Sequence, residues 1–455
     1  MAEPRTVAGR LVEMVEYVTG EPSPLRLRAW DGSEAGEPAA PVLVVHDRRA
    51  LRRLLWSPNE LGLGRAYVAG EISVDGDVYT ALDRVSALMR RMSLRERSLE
   101  PGMRREILRT LIALRVVGPA PAPPPEESKL YGTKHSLGRD RAAISHHYDV
   151  GNDFYRIVLG EAMVYSCAYW TSTDPGYTLE QAQHDKVDLI CRKLALEPGM
   201  RLLDVGCGWG SLVLHAAQNY GVDAVGVTLS REQAEYARAR VAEAGLEKRI
   251  EIRVQDYREV DDGPFDAIAS VGMAEHVGLE RFAEYSASLF TLLRSGGRLL
   301  NHQIATLHPA PASAAADDAA GSTRRRSLKP TRTFIDAYVF PDGQLVPLGT
   351  TVGLLEEAGF EVRDVEALRE HYGRTLRAWV ANLEADWDRA VELTSPGRAR
   401  VWLLYMAGSA MGFEQARLGV NQILAVKAKA TGESLMPPVR AFSAPEPRDE
   451  APRER

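Results

Sequence analysis

The chain has 455 residues, enough for two domains, and its 45% hydrophobic and 26% charged residues are typical of a globular protein. A net charge of −6 gives no support to a nucleic-acid partner, so any affinity for an anionic surface must come from local basic patches. The three cysteines form no CxxC pair, which argues against a disulfide framework or a zinc site. No apolar run approaches the ~18 residues of a spanning helix, and the N-terminus lacks a signal-peptide pattern. A cytoplasmic protein without a bound metal is expected.

The first predicted domain spans residues 1–116 and ends in two arginine-rich helices. Val42–Val45 is an apolar run, and Arg49–Leu55 is a short predicted helix. The later helices are predicted over Asp83–Arg97 and Met103–Arg115. Their arginines are Arg84, Arg90, Arg91, Arg95, Arg97, Arg104, Arg105, Arg109 and Arg115. Two interpretations stay open: solvated helix faces, or contact with the anionic head groups of lipids.

Composition divides the rest of the chain. Residues 117–128 are rich in proline and predict a stiff, extended linker rather than a packed element. A second domain is predicted over 129–430, in which His135–Trp170 covers a pocket. Within it, residues 308–332 predict a mobile loop, whose basic cluster either solubilises the chain or touches a membrane. Residues 431–455 predict a disordered tail.

The second domain is organised around Arg201–Gly210, RLLDVGCGWG. Its apolar half predicts a short buried strand, and the following SLVLHAAQNY predicts a helix. The glycines Gly206, Gly208 and Gly210 let backbone N–H groups approach a ligand where a Cβ would collide. Strand, glycine-rich turn and helix together predict a nucleotide-type site, with Asp204 at the end of the strand.

Strands and helices then alternate. Further strands are predicted over Asp223–Leu229, Ile250–Val254, Phe265–Val271 and Gly297–His302, with a helix over Glu232–Ala244 that Ser230 caps and Gln233 completes as a capping box. This order predicts an α/β fold, a doubly wound parallel sheet with a ligand at the carboxyl ends of its strands. The strand ends VGCGWG, VTLS and QDY resemble the S-adenosylmethionine pocket of class I methyltransferases.

Seven stretches in one order resemble a single family, the cyclopropane-fatty-acyl-phospholipid synthases and mycolic acid cyclopropane synthases. They are AISHHYDVGNDFY, YSCAYW, LLDVGCGWGSL, GVTLSREQ, SVGMAEHVG, FIDAYVFPDGQL and LREHYGRTLRAW. The resemblance covers about residues 140–427 and implies a Rossmann-like methyltransferase core that follows a smaller N-terminal domain. LGLGRAYVAGE extends it into that N-terminal domain.

The resemblance assigns cofactor contacts by position. It implies that Asp204, Gly206, Gly208 and Gly210 line the methionine and ribose of S-adenosylmethionine. The remaining implied contacts are Thr228 and Gln233 at the ribose, Tyr257 near the adenine, and Tyr165 and Ser166 in the cover.

The resemblance also implies that a bound bicarbonate acts as the base. The matching positions are the side chains of Glu275, His302 and Tyr372 and the main chain of Cys167 and Ile304. Taken singly, each has an ordinary explanation, such as a helix-start carboxylate or a core histidine. Their co-occurrence at matching motif positions favours the functional one. One departure is Ser409, which stands where some relatives carry a cysteine, so a thiolate nucleophile at that position is ruled out.

The implied activity is methyl transfer to the double bond of unsaturated acyl chains of phospholipids, giving cyclopropane chains. The same motifs serve relatives that form a methylene-branched chain, so this alternative stays open. A non-catalytic lipid-binding relative and a methyltransferase for soluble small molecules are more remote. The resemblance implies peripheral contact with the inner face of the membrane, and a homodimer remains possible.

Overall fold

A computed structural model describes residues 6–38, 40–95, 101–128, 139, 150–307 and 332–438. These residues form two compact units. The first takes its described residues from Met1–Leu130, Arg324–Pro341 and Leu383–Met411, and the second from Tyr131–Thr323, Asp342–Asn382 and Gly412–Arg455. The predicted boundaries were consecutive, whereas the units interleave. Composition marks linkers but does not reveal which distant segments pack together.

The first unit contains a four-stranded sheet in the order β2-β1-β3-β4. Strands β1 and β3 are parallel, and the other two pairs are antiparallel. Its elements are α1 (Val7–Thr19), β1 (Arg26–Arg28), β2 (Glu34–Ala35), β3 (Val42–Val45), α2 (Arg49–Trp56), α3 (Glu60–Val68), β4 (Ile72–Asp75), α4 (Val78–Arg95), α5 (Pro101–Ala113) and, from later in the chain, α12 (Phe334–Tyr338), α15 (Trp387–Leu393) and α16 (Pro396–Glu414), whose last residues belong to the second unit.

Both arginine-rich helices exist, but each begins earlier than predicted. Helix α4 starts at Val78 because Asp77 caps it, its carboxylate accepting from the backbone N–H of Thr80 at 2.7 Å. Helix α5 starts at Pro101, a residue favoured at the first helical position since it lacks an N–H to satisfy. The helix starts are therefore set by the capping residue Asp77 and by Pro101, which the spacing of apolar residues does not reveal.

The proline-rich segment 117–128 packs, contrary to the expectation for a free linker. Arg53 donates to the carbonyl of Ala122 at 2.7 Å. Arg65 donates to both carboxylate oxygens of Glu127 at 2.8 Å, and the Glu127 side chain is buried. Since these partners lie in α2 and α3, this segment belongs to the first unit.

The second unit contains a seven-stranded sheet in the order β10-β11-β9-β8-β5-β6-β7. Its elements are α6 (Asn152–Leu159), α7 (Leu179–Leu194), β5 (Arg201–Val205), α8 (Ser211–Tyr220), β6 (Asp223–Thr228), α9 (Arg231–Glu243), β7 (Ile250–Val254), a 3₁₀ turn (Tyr257–Glu259), β8 (Phe265–Val271), α10 (Ala274–Val277), α11 (Leu279–Leu292), β9 (Leu293–Thr306), α13 (Leu348–Glu357), β10 (Glu361–Ala367), α14 (Arg369–Ala385), whose last three residues belong to the first unit, and β11 (Leu418–Val426).

The five predicted strands are present and parallel, and they form the α/β core that was predicted. The prediction of a wholly parallel sheet is wrong at one edge, because β11 runs antiparallel to both β9 and β10. The fifth strand is also longer than predicted: β9 runs from Leu293 to Thr306 and continues directly from α11. The added length matters because its last residues reach the site.

Alternate residues of the central strand face two apolar layers. Leu202 packs in a layer with residues of α7, α8 and α9, and Leu203 in the layer of α11 and α13. Burial on both faces is the usual state of parallel strands covered by helices. The side chain of Asp204, next along β5, is buried at the carboxyl end of the sheet.

Several predicted segments fall outside the described residues: 135–138 and 140–149 of the cover, 308–331 of the loop and 439–455 of the tail. The described start of the tail, 431–438, is held against the sheet, since Arg298 donates to the carbonyl of Leu435 at 3.3 Å. Among the described helices, none is both long enough and apolar enough to cross a bilayer.

Candidate active site

A cavity opens at the carboxyl ends of β5, β6 and β8, where the fold predicts a ligand. It is lined by residues at and just after the ends of those strands, by part of the cover, and by two residues of α7, Lys186 and Val187. The lining side chains and glycines include Tyr165, Ser166, Lys186, Asp204, Gly206, Cys207, Gly208, Trp209, Thr228, Gln233, Asp256, Tyr257, Gly272, Met273 and His276. Eight of the nine predicted cofactor residues are in this set.

The glycine-rich turn after β5 is shaped by its backbone. Gly206 and Gly208 have φ of +82° and +54°, in the left-handed region that favours glycine. The N–H groups of Gly206 and Cys207 both donate to the carbonyl of Val227 at 3.0 Å, which ties the turn to the end of β6. The turn therefore lies at the cavity in a fixed conformation, with Gly206 and Gly208 alternating with Cys207 and Trp209 in the lining.

Gly210 is the one predicted cofactor residue that is not among the residues lining the cavity, and its contact with the cofactor stays a prediction. It precedes α8 with φ of +82°, and a Cβ built there would lie 3.0 Å from the Cβ of Ala237. Gly210 is thus required for the close approach of α9 to the start of α8, a packing role typical of the third glycine in such turns.

Asp204 is buried with one carboxylate oxygen, Oδ1, that has no hydrogen-bond partner in the described part of the chain. Burial raises the pKa of its carboxyl to about 7. A buried acceptor without a partner is costly unless a ligand supplies a donor. The ammonium group at the amino-acid end of S-adenosylmethionine is such a donor.

The predicted ribose contacts lie at the end of β6. Thr228 donates from its hydroxyl to Oε1 of Gln233 at 2.9 Å, and both side chains are buried. Ser230 caps α9 as predicted, accepting from the Gln233 N–H at 3.2 Å. The predicted reciprocal bond from Gln233 to the cap is replaced by its bond to Thr228, so this amide is held at the cavity.

Aromatic rings form the other walls. Tyr257 is buried and meets Tyr285 edge-on, with ring centroids 5.4 Å apart, and burial raises its pKa to about 12. Tyr165, from the cover, contacts Trp379 at 5.4 Å and Tyr155 at 5.7 Å between centroids. These contacts hold the Tyr165 ring at the cavity, where it can exclude water from a bound ligand.

Glu275 and Ile304 meet directly beside this cavity. Glu275 Oε1 accepts from the backbone N–H of Ile304 at 2.7 Å, and Oε2 is buried without a partner among the described residues. Burial raises the pKa of the Glu275 carboxyl to about 7. The contact joins α10 to the end of β9, the part of that strand that the sequence analysis did not predict.

His302 lies two residues before Ile304 in β9 and is buried. Neither ring nitrogen has a hydrogen-bond partner in the described part of the chain. Burial, with the charges of Lys186 and Lys193, holds the pKa of His302 well below its usual range, so the imidazole is neutral. The carbonyl of His302 accepts from the N–H of Gly272, a cavity residue, at 2.8 Å. Its backbone therefore adjoins the cofactor cavity.

Cys167 and Tyr372 are linked through Leu368. The Cys167 thiol donates to the carbonyl of Leu368 at 3.6 Å, and the Tyr372 N–H donates to the same carbonyl at 3.1 Å. Leu368 in turn donates to the carbonyl of Val420, the cross-strand partner of Ile304. Burial raises the pKa of the Cys167 thiol, which is neutral. Leu368 and the β9–β11 pairing thus link Cys167 and Tyr372 to Ile304. Glu275 bonds directly to Ile304, and His302 lies in the same strand.

The donors and acceptors without partners fit the two implied ligands. Asp204 Oδ1 and the glycines Gly206 and Gly208 beside it suit a nucleoside carrying an amino-acid group. Glu275 Oε2 and the two His302 nitrogens suit a small oxyanion, because a protonated carboxyl and one imidazole N–H can both donate to it. Tyr372 packs against Phe413 with centroids 4.7 Å apart.

Lys186, Trp209 and His276 also line the cavity and were not predicted as site residues. Burial lowers the pKa of His276 to about 4. Lys186 carried a detectable signal: it lies four residues from both Ala182 and Ile190, on the apolar side of its helix. A lysine on that side is unusual and indicates a buried charge.

The comparisons with known proteins agree with this geometry. Residues 135–423 match the mycolic acid cyclopropane synthetase family. The chain is 40% identical over 443 residues to "Probable fatty acid methyltransferase Rv3720" of Mycobacterium tuberculosis, covering 94% of this chain and 98% of that protein. It is 34% identical over 408 residues to "Tuberculostearic acid methyltransferase UfaA1" of the same organism, covering 88% of this chain and 87% of that protein.

A solved structure extends the likeness to the fold. Mycolic acid cyclopropane synthase CmaA1, crystallised with SAH and CTAB, aligns at a TM-score of 0.56 and 35% identity, over 63% of this chain and 97% of that one. Family match, sheet and cavity therefore agree with the predicted resemblance. The chain belongs to the mycolic acid cyclopropane synthetase family of S-adenosylmethionine-dependent methyltransferases.

Proposed function

We propose that this methyltransferase acts on the double bond of unsaturated acyl chains of phospholipids and forms cyclopropane chains. Similarity to a protein named as a fatty acid methyltransferase, along 94% of the chain, supports an acyl substrate. The named activity of CmaA1 supports ring formation. The observation that carries the proposal is the buried pair Glu275 and His302, whose unpartnered polar atoms suit a base site beside the cofactor cavity.

The reaction requires the protein to position the double bond, to exclude water from a cation and to provide a base. S-adenosylmethionine, when bound, supplies an electrophilic methyl group. An isolated double bond is a poor nucleophile, so the cavity must hold it against that methyl, and attack leaves a positive charge on the acyl chain. Tyr165, which lines the cavity and packs against Trp379, would help to exclude the water that traps such a cation, and an aromatic face favours positive charge. Loss of one proton with ring closure leaves a net gain of CH₂.

The proton must leave to a buried base. Glu275 and His302 would hold a bicarbonate, which supplies a base that can act next to a cation inside an apolar site. Because its pKa is raised to about 7, Glu275 can donate to this anion as well as accept. The neutral imidazole of His302 offers one N–H and one lone pair. The Ile304 N–H fixes the orientation of the carboxyl.

A methylene-branched product is the second candidate. The name of UfaA1 refers to tuberculostearic acid, a methyl-branched fatty acid, and that protein aligns with 88% of this chain. A hydride shift on the chain before proton loss would give an exocyclic methylene instead of a ring. The residues proposed for the cofactor and the base serve both outcomes equally.

Lipid analysis of an expressing host tests the proposal. In bacteria that make monounsaturated phospholipids but lack an enzyme of this family, we expect acyl chains heavier by one CH₂. Because the two candidate products are isomers, mass alone does not separate them. Proton NMR of the purified fatty acids does, since cyclopropane protons resonate upfield and methylene protons in the olefinic region. Only the methylene product gains hydrogen on mild catalytic hydrogenation.

The control is the same host expressing Glu275→Gln at equal protein level, which should leave the unsaturated chains unmodified. If phospholipid acyl chains remain unmodified in the wild-type strain while soluble small molecules become methylated, the acyl substrate is wrong. A methylene product would retain the acyl substrate and replace cyclopropane as the outcome.

We further propose that the first unit contacts the membrane through one face of α5. Arg105, Leu108, Arg109 and Ile112 follow helical spacing on this side and are exposed, with Leu108 51% and Ile112 58% accessible. Exposed leucine and isoleucine between arginines suit the boundary between acyl chains and anionic head groups. Basic helix and apolar side chains together would make the contact peripheral.

Vesicle sedimentation tests the α5 face. We expect the protein to bind vesicles containing phosphatidylglycerol more tightly than phosphatidylcholine vesicles, and binding to weaken as salt screens the arginines. The double variant Leu108→Ser/Ile112→Ser should weaken binding about 10-fold, because two apolar side chains no longer insert. Leu435→Ser is the control, an equally exposed leucine in the second unit. Binding that is equal on both vesicles and insensitive to salt would mean that the arginines are only a solvated face.

A further inference from the structure

Helix α7 buries two lysines that the protein treats differently. Lys193 Nζ is 2.5 Å from Oε2 of Glu366 and 2.8 Å from Oε1 of Gln422, so its charge is paired. Lys186, two turns earlier, is 3% exposed and donates to the hydroxyl of Ser166 at 2.9 Å. Among the described residues it forms no ion pair with a carboxylate.

An ammonium buried with one neutral partner is unfavourable on its own. It carries three N–H donors, of which Ser166 accepts one. Removing a charge from water is unfavourable unless an opposite charge or further hydrogen bonds replace the solvent. Lys186 lines the cofactor cavity, so its remaining donors face the space that a ligand fills. The missing partner is therefore expected in the ligand.

The cavity also holds a buried acid that lacks a partner. Asp204 is 2% exposed, and its Oδ1 is unpartnered in the described part of the chain. Asp204 and Lys186 line the same cavity and attract each other electrostatically, but they form no direct ion pair. One unpaired acid and one unpaired base in one cavity match a ligand that carries both charges on adjacent groups. The amino-acid end of S-adenosylmethionine is such a zwitterion.

We propose that the Lys186 side chain, held in place by its hydrogen bond to Ser166, binds the α-carboxylate of the cofactor, and that Asp204 binds the α-ammonium of the cofactor. This deepens the proposed function and rests on it only for the identity of the cofactor. The same burial that lowers the pKa of Lys186 to about 8 and raises that of Asp204 to about 7 is relieved when the zwitterion binds. Each charge then gains the partner that the protein does not supply.

Ligand analogues test the assignment without turnover. The probes are S-adenosylhomocysteine, its decarboxylated analogue and its deaminated analogue, measured by calorimetry in carbonate-free buffer. Wild-type protein should prefer S-adenosylhomocysteine over the decarboxylated analogue by about 10- to 100-fold, the effect of one charged hydrogen-bonding contact. In Lys186→Met this preference should fall to within about 3-fold. Lys186→Met should still prefer S-adenosylhomocysteine over the deaminated analogue, whereas Asp204→Asn should lose this second preference.

The matched control is Lys193→Met, which removes a buried lysine from the same helix outside the cavity. It should keep the preference for the carboxylate. Thermal denaturation of ligand-free Lys186→Met reports folding, and we expect no loss of stability since a lone buried charge is removed. Lys186→Gln serves as a second variant with a polar end group and the same expected loss of preference.

Two outcomes overturn the proposal: no carboxylate preference in the wild type, or an undiminished preference in Lys186→Met. A free bicarbonate is the other source of a carboxylate-type anion. If Lys186 bound that ion instead, adding bicarbonate would change the affinity of the wild type for S-adenosylhomocysteine. Lys186→Met would then still prefer S-adenosylhomocysteine over the decarboxylated analogue, which is the second of these outcomes. Failure of S-adenosylhomocysteine to bind at all would instead contradict the methyltransferase function.

Discussion

Replacing Glu275 by glutamine is expected to lower turnover about 10²- to 10⁴-fold, the usual effect of losing a positioned base or its anchor. The affinity for S-adenosylhomocysteine should stay within about 3-fold of wild type. The reason lies in the geometry: Glu275 Oε1 is fixed by Ile304, while Oε2 is buried beside the cavity and has no partner among the residues that the structure describes. Glutamine keeps the shape but cannot offer the same charge and proton. Single-turnover kinetics with a monounsaturated phospholipid measures the effect.

Glu280→Gln is the control for this substitution. Glu280 is an exposed carboxylate five residues further along the chain, in the first turn of α11, and its loss should leave turnover unchanged. Removing dissolved carbonate from the buffer should also slow the wild type, with recovery on adding it back, and should not slow Glu275→Gln further. Native turnover in Glu275→Gln would mean that the proton leaves to another group.

The same variant has a stability signature that follows from its pKa. Burial raises the Glu275 pKa from 4.5 to about 7, so the folded protein keeps a proton there that the unfolded chain releases in this range. The free energy of unfolding of the wild type therefore falls, relative to that of the glutamine variant, as the pH rises from about 4.5 to about 7. Above pH about 7 the difference between the two proteins stays constant. The difference in Tm, Glu275→Gln minus wild type, should therefore be larger at pH about 8 than at pH about 5. A folded variant with this signature excludes misfolding as the cause of lost turnover.

Asp204→Ala should lower affinity for S-adenosylmethionine about 10- to 100-fold or more, because Asp204 is the acceptor for a charged donor in a buried site. Its position at the end of β5, next to the left-handed Gly206, is fixed by the central strand of the sheet. The fold should survive, since an unpartnered buried carboxylate contributes little to stability. Calorimetry with S-adenosylmethionine and S-adenosylhomocysteine measures both affinities.

Asp223→Ala is the matched control for Asp204. Asp223 begins β6, at the opposite edge of the sheet from the cavity, and its side chain is exposed. Its replacement should leave affinity unchanged. Undiminished affinity in Asp204→Ala would contradict the assignment of this cavity to the cofactor, whatever the outcome for the base site.

The sequence alone determined the parallel half of the catalytic unit and most of its cofactor cavity. Strands β5 to β8 are short segments rich in apolar residues, and Gly, Ser or Asp follows each within two residues. The predicted boundaries therefore agree with the observed ones to within about two residues. Because parallel strands share one carboxyl edge, the residues that follow them converge without further information. Asp204, Gly206, Thr228 and Tyr257 therefore reach one cavity, as predicted.

Only the tertiary structure decided the other half. The partners of the base site are distant in sequence: Glu275 and Ile304 are 29 residues apart, and Cys167 and Leu368 are 201 apart. They meet because β11 pairs antiparallel with the extended end of β9, and no local pattern encodes the direction of such a pairing. The same holds for Gly210, which serves the packing of α9, and for Lys186, whose lack of an anionic partner appears only once the surrounding side chains are in place. Local periodicity specifies elements, whereas long-range burial decides which polar groups are left for a ligand.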